Sequence, residues 1–174
     1  MSPICILGIG SPFGDDRLGW EAIEMLKQHA KISSLIPHMI HLEICDRPAT
    51  RLLHKFEHVK IAILIDAIKS ERPLGTIHSF SNDDIFTIKH SASTHGLGIS
   101  ESLNLGKTLN MLPNVTVLYG IEINEVALTT ELSSIAKTAL KKLVNSLSLL
   151  KWDKLIKINS KETIVDTLLA ATKK

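Results

Sequence analysis

The chain alternates short, continuous apolar runs with segments of helical periodicity, and this alternation constrains its fold more than any single motif does. The apolar runs occupy residues 4–9, 38–45, 59–68, 76–80 and 115–121, and helical patterns begin at Leu18, near Pro48, at Gly96 and after Thr129 or Thr130. The run at 59–68 is the most hydrophobic and predicts a central strand that is buried on both faces. Strands that alternate with helices predict an α/β fold, with a mostly parallel sheet of about five strands covered by helices.

Length and composition predict one ordinary domain without disulfides. The 174 residues, 44% of them apolar, suffice to bury a sizeable core. Residues 1–150 contain all the strand and helix patterns of the predicted sheet. Residues 151–174 are interpreted as a C-terminal extension, helical around residues 164–171 and packed on the same domain.

Charge and hydropathy exclude two classes of partner. Twenty basic against 18 acidic residues leave a net charge of +2, and the basic residues are spread along the chain, so no nucleic-acid interface is predicted. No apolar run reaches the ~18 residues that a membrane span requires. Cys5 and Cys45 lie in apolar runs, as small buried hydrophobic residues of a reducing compartment do. Together with the absence of a signal-peptide pattern, this predicts a cytoplasmic protein.

Three polar residues stand where a sheet of this kind binds ligands, outside the carboxyl ends of its strands. Asp16 follows the first strand, Asp66 interrupts the end of the central strand, and His95 stands at the start of a predicted helix. We expect them to converge on one edge of the sheet, although they are far apart in sequence. Two carboxylates and one imidazole are oxygen and nitrogen ligands suited to a borderline divalent cation.

The glycine-rich stretch at residues 8–16 allows two interpretations. Glycines at 8, 10 and 14 permit a sharp turn and a close approach to a ligand, as in a dinucleotide-binding loop followed by an acidic residue such as Glu43 or Asp46. The adjacent Asp15 and Asp16 argue for the other interpretation, because they would repel a pyrophosphate and attract a cation.

Each candidate residue also has a purely structural interpretation. Asp66 would be a hydrogen-bonded carboxylate that caps the following loop. Asp16 would be a helix N-cap or a first-turn acid that stabilises a helix dipole, and His95 would be a structural histidine. His54 and His58 are interpreted as surface residues. His38 and His41 would point to opposite faces of a regular strand, so the two are not expected to share a metal. Arg17 is expected to pair with Asp15. The alternative is that Arg17 binds a carboxylate of the substrate.

Three motifs in this order resemble those of the hydrogenase maturation proteases. They are Gly-x-Gly with an acidic pair at residues 8–16, a hydrophobic strand that ends in Asp-Ala-Ile at 66–68, and Ser-x-His-x-x-Gly at 93–98. The resemblance covers about the first 150 residues. Ordinary serine, zinc and cysteine protease motifs are absent.

The resemblance implies a three-layer α/β/α sandwich and an endopeptidase that trims the C-terminus of the large subunit of a nickel-iron hydrogenase. By similarity, Asp16, Asp66 and His95 are the metal-contacting residues of the catalytic site. The metal would be nickel carried by the substrate precursor, and zinc or cadmium is expected to substitute for it in crystals. Metal binding would verify that nickel is loaded and would place the peptide bond, with the metal or its water acting on the carbonyl.

The chain departs from the family pattern at three places in the first 50 residues. Ser11 replaces the usual Asn, Arg17 replaces a Gly after the acidic pair, and residues 45–48 replace a Gly-Thr turn. Two alternatives therefore stay open at this stage, a metal-binding relative without catalysis and a nucleotide-binding protein.

Overall fold

A computed structural model describes residues 2–46, 51–87, 96–124, 126 and 128–173. Five strands and seven α-helices alternate in the described ranges, together with 3-10 helices at Gly14–Arg17 and Asn82–Thr87. In chain order the elements are β1 (Ile4–Gly10), α1 (Leu18–Gln28), α2 (Ala30–Ser33), β2 (Ile40–Asp46), α3 (Arg51–His54), β3 (Ile61–Ile68), β4 (Ile77–Ser81), α4 (Gly96–Thr108), β5 (Val115–Glu122), α5 (Ser134–Leu149), α6 (Trp152–Leu155) and α7 (Lys161–Ala170).

The strands form one sheet in the order β2-β1-β3-β5-β4. Neighbours are parallel except at the β4 edge, where β4 runs antiparallel to β5. Every residue of β1, β3 and β5 is buried, as expected for parallel strands covered on both faces. The predicted fold class, a mostly parallel five-stranded α/β sheet with β3 at its centre, is confirmed.

Strand alternation divides the core into two layers of side chains. Ile61, Ile63 and Ile65 of β3 face the larger cluster, which includes buried residues of α1, α5, α6 and α7. Ala62 and Leu64 face the smaller cluster, which includes buried residues of α3 and α4. Helices therefore cover both faces of the sheet and make it a three-layer sandwich.

Several predicted boundaries are wrong, and local contacts explain most of the differences. The N-cap of α5 is Ser133, not Thr129 or Thr130, because its hydroxyl accepts the Ala136 N–H at 3.2 Å. The strand predicted from residue 38 begins at Ile40, and α1 ends at Gln28, two residues early. The short helices α2 and α6 and both 3-10 helices were not predicted. Pro48, the predicted start of α3, lies outside the described residues.

The C-terminal residues pack into the same core as the sheet. Trp152 of α6 and Leu168 of α7 are buried in the larger cluster, and the Tyr119 hydroxyl of β5 donates to the Leu168 carbonyl at 2.7 Å. No helix in the described ranges combines the length and apolar character that crossing a bilayer demands.

Candidate functional site

Asp16 lies in the 3-10 helix that follows β1, and the chain there folds back tightly on the end of the strand. The Ser11 N–H donates to the Asp16 carbonyl at 3.3 Å. A methyl group on Gly10 would overlap that carbonyl, so the close approach requires glycine. Asp16 is buried and is not a helix cap, because Arg17 occupies the N-cap of α1. It does stand in the first turn of the 3-10 helix, so its structural interpretation as a first-turn acid also stands.

Asp66 is a fully buried carboxylate near the carboxyl end of β3. Alternation along the strand places it on the same face as Ala62 and Leu64, the face covered by α3 and α4. Its partner in the neighbouring strand is Gly120 of β5. A charge in such a position is costly unless other groups bind it, so the surroundings of Asp66 are strongly constrained.

The elements that carry the two carboxylates are in contact. The 3-10 helix of Asp16 packs against both β1 and β3, so both residues belong to the carboxyl edge of the sheet. His95 lies outside the described residues, and α4 begins at the next position, Gly96. In the described part of the chain, no group of three His, Cys, Asp or Glu side chains is arranged to hold a metal ion. The convergence of Asp16, Asp66 and His95 on one ion therefore stays a prediction.

The neighbours of Asp16 have separate structural partners. Arg17 does not pair with Asp15 as expected. Its Nε lies 3.9 Å from Oε2 of Glu21, one helical turn ahead, while Asp15 binds Ser133 at the start of α5. The prediction that His54 and His58 are surface residues is confirmed, since both are exposed. His38 precedes β2, which begins at Ile40, so the predicted alternation of His38 and His41 along one strand does not apply.

Sequence reasoning missed a second polar cluster at this edge, centred on Glu122 at the end of β5. The Glu122 carboxylate accepts hydrogen bonds from the Ser70 N–H (2.6 Å) and the Ser70 hydroxyl (2.6 Å), and Oε2 lies 2.9 Å from Nε2 of His78. The backbone of Glu122 also bonds to Gly75 and Thr76. Residues 69–76 connect β3 to β4 across the end of β5, and Glu122 holds this crossing in place.

The pKa of Glu122 is lowered in the folded chain. Burial alone would raise it, but the hydrogen bonds from the Ser70 hydroxyl, the Ser70 N–H and His78 outweigh burial because they favour the charged form. The carboxylate is therefore a weak base. Glu122 follows an apolar run directly, so the rule that singled out Asp66 would have found it.

Ser70, His78 and Glu122 resemble a catalytic triad in composition but not in geometry. In a triad the histidine stands between serine and acid and uses a different nitrogen for each. Here the Ser70 hydroxyl donates directly to Glu122 Oε2, and the same oxygen contacts His78 Nε2, which lies 3.4 Å from Ser70 Oγ. The hydroxyl proton is held by a poor base, so this cluster supports the crossing chain and does not generate a serine nucleophile.

The two cysteines are also unsuited to nucleophilic chemistry. Cys5 and Cys45 are buried in the smaller core cluster and form no disulfide with each other, which confirms the interpretation of both as small core residues. Burial, reinforced by the nearby Glu43 carboxylate, raises the pKa of Cys5 to about 12. A thiol with this pKa supplies almost no thiolate near neutrality.

Comparison with known proteins gives a family and a set of related folds. A family model described as hydrogenase maturation protease (HycI) matches residues 48–149, more than half of the chain, a range that includes Asp66 and His95 but not Asp16. A search of curated proteins finds no match.

Solved structures of hydrogenase maturation enzymes share the fold. The hydrogenase maturating endopeptidase HybD from E. coli superposes with a TM-score of 0.73 at 20% identity, covering 84% of this chain and 90% of that one. The [NiFe] hydrogenase maturation protease HybD from Thermococcus kodakarensis gives 0.65 at 25% identity, with 83% and 95% covered. HycI from T. kodakarensis KOD1 gives 0.64 at 25% identity, with 84% and 90% covered.

Proposed function

Since the chain belongs to the hydrogenase maturation protease family, endopeptidases that cleave the C-terminal peptide of the hydrogenase large subunit, we propose that its substrate is the nickel-loaded precursor of a nickel-iron hydrogenase. The observation that carries this proposal is the contact between the 3-10 helix of Asp16 and the strand of Asp66, with both carboxylates buried at one sheet edge. The family assignment replaces the nucleotide-binding alternative.

In this proposal Asp16, Asp66 and His95 complete the coordination of nickel that the precursor brings. Two carboxylates and an imidazole match the ligand preferences of a borderline divalent ion. The position of α4 supports a role for His95. A short connection, residues 109–114, joins the C-terminus of α4 to the start of β5, so the N-terminus of α4 points toward the carboxyl edge. His95 directly precedes that N-terminus in the sequence.

Nickel binding would act as a check on the substrate and as a positioning device. A precursor without nickel would lack the coordination bonds to Asp16, Asp66 and His95, so it would bind poorly. A precursor with nickel would be held with its scissile bond fixed relative to the ion. The ion or its bound water would then polarise or attack the scissile carbonyl. Ser70 and Cys5 supply no alternative nucleophile, for the geometric and pKa reasons given above, and Cys45 is buried in the core.

The test is cleavage of nickel-loaded and metal-free precursor by the purified chain, followed by mass spectrometry. We expect cleavage of the nickel-loaded form only. Asp66→Asn and His95→Ala should each lower the rate by at least about 100-fold, because each removes a group that acts on the reacting centre. Asp83→Asn is the matched control, since Asp83 is an exposed acid that pairs with Lys107 at 2.6 Å near the opposite edge.

The outcomes separate a protease from a binder. Equal cleavage of both precursor forms would contradict nickel recognition, and normal cleavage by Asp66→Asn would contradict the site. Binding of the precursor without any cleavage would identify a metal-binding relative that lacks catalysis.

A further inference from the structure

The two adjacent acids of the 3-10 helix occupy different environments. Asp16 is buried at the candidate site, whereas Asp15 is partly exposed and reaches across to α5. Oδ1 of Asp15 accepts the Ser133 N–H at 2.6 Å, and Oδ2 accepts the Ser133 hydroxyl at 2.7 Å. The proposed nickel contacts do not use Asp15, although it neighbours one of them directly.

Ser133 is suited to this contact because it uses its hydroxyl twice. The hydroxyl hydrogen is donated to Asp15, and a lone pair accepts the Ala136 N–H as the N-cap of α5. The contact therefore joins the 3-10 helix to the beginning of a 16-residue helix. Because α5 packs against both α1 and β5, the helix that carries Ser133 is held in place by the core.

Two further hydrogen bonds restrict the same segment. The Gly14 N–H donates to the Thr129 carbonyl at 2.6 Å, and the Ser11 N–H donates to the Asp16 carbonyl at 3.3 Å. The backbone of Asp16 is thus fixed on one side by the end of β1 and on the other by residues 129–133. Of these contacts, those of Asp15 are the ones that a side-chain substitution can remove.

We propose that Asp15 is a positioning residue that sets the orientation of Asp16 by holding the 3-10 helix against Ser133. Both oxygens of Asp15 are engaged by Ser133, so Asp15 is not itself assigned as a nickel ligand. The inference rests on the proposed function, because the effect of losing the Asp15 contact is measured as the rate of precursor cleavage. A displacement of about 1 Å at a reacting centre is enough to cost on the order of 100-fold in rate.

The experiment compares kcat/KM for cleavage of the nickel-loaded precursor among matched variants. Asp15→Ala and Ser133→Ala should each lower kcat/KM by about 10-fold to 100-fold. Ser133→Thr keeps the hydroxyl and should restore cleavage to near the wild-type rate. The double variant Asp15→Ala/Ser133→Ala should lose no more than the worse single variant, because both remove the same contact.

Ser160→Ala controls for a general effect of losing a helix cap. Ser160 caps α7 by accepting the Thr163 N–H at 3.2 Å, the same distance as in the Ser133 cap, but α7 is remote from the 3-10 helix. We expect Ser160→Ala to lower the melting temperature without changing kcat/KM. Circular dichroism confirms that each variant is folded at the assay temperature. If Asp15→Ala does not fold, the comparison of Ser133→Ala with Ser133→Thr tests the contact from the side of α5.

Three results would overturn the inference. Full cleavage by folded Asp15→Ala or Ser133→Ala would show that the contact only stabilises the fold. An equal loss of cleavage in Ser160→Ala would show that stability alone explains the effect. A wild-type chain that leaves the nickel-loaded precursor uncut would instead overturn the proposed function, and the role of Asp15 along with it.

Discussion

Two His–Glu pairs in this sheet have the same chemistry and different surroundings. His78 and Glu122 lie 2.9 Å apart at the carboxyl edge, with 15% and 2% of their side chains exposed. His41 and Glu43 lie 3.2 Å apart on the edge strand β2, with 52% and 36% exposed. Pair geometry alone does not distinguish the two regions. Burial does, because it decides whether water can replace a lost partner.

Glu43 and Glu122 also differ in the groups that their carboxylates bind besides the histidine. Burial would raise the pKa of each, and hydrogen bonds lower it in each, from Ser70 and His78 at Glu122 and from Lys55 and His41 at Glu43. Among the described residues, the Glu43 carboxylate binds the side chains of His41 and Lys55. Glu122 fixes a backbone N–H of the chain that crosses β5. The buried pair should therefore contribute much more to the stability of the fold.

Removing the two carboxylates is the strongest test of this difference. Glu122→Ala should lower the free energy of unfolding by about 3 kcal/mol, because it removes a buried carboxylate together with its hydrogen bonds from Ser70 and His78. Glu43→Ala should cost less than about 1 kcal/mol, since water replaces the lost acceptor. Urea denaturation measures both. Equal losses would mean that burial is not what separates the two regions.

Removing His78 should cost more stability than removing His41, with a smaller difference than between the two glutamates. His78→Ala should cost about 1–2 kcal/mol, because it removes a hydrogen bond to a charged group and the stacking of His78 on Phe80. His41→Ala should cost less than about 0.5 kcal/mol, as exposed pairs do. Thermal unfolding at matched pH gives the comparison. A larger loss in His41→Ala would contradict the assignment of the edge-strand pair as a surface contact.

The same contrast shows what could be predicted from the sequence. The apolar runs predicted the strands because burial on both faces leaves a continuous hydrophobic pattern, and Asp66 was found because it interrupts one. Glu122 could have been found in the same way. The sequence could not show that Glu122 is buried and Glu43 half exposed. The burial of Glu122 depends on the chain that crosses β5, and the exposure of Glu43 depends on the position of β2 at the edge of the sheet.

The cap of α5 could not be predicted from local sequence for a related reason. Thr129, Thr130 and Ser133 are all residues that cap helices well. What favours Ser133 is its contact with Asp15, 118 residues away in the chain. Similarly, the sequence showed an acidic pair but not that Asp15 reaches α5 while Asp16 is buried. Such long-range choices become visible only in the folded chain.

The smallest expected effect is a difference in acid sensitivity between the wild type and Glu122→Gln. The folded pKa of Glu122 lies below its unfolded value, so the unfolded chain binds more protons in acid. The stabilisation from ionised Glu122 is complete above the unfolded pKa and disappears as the pH falls through the folded pKa. The stability advantage of wild type over Glu122→Gln should therefore shrink when urea titrations are repeated from pH 6 down to pH 3.

Glu43→Gln is the control for this prediction. The advantage of wild type over Glu43→Gln should also shrink in acid, but by less, because solvent screens that pair. An advantage over Glu122→Gln that stays constant or grows in acid would mean that the Glu122 charge does not stabilise the crossing.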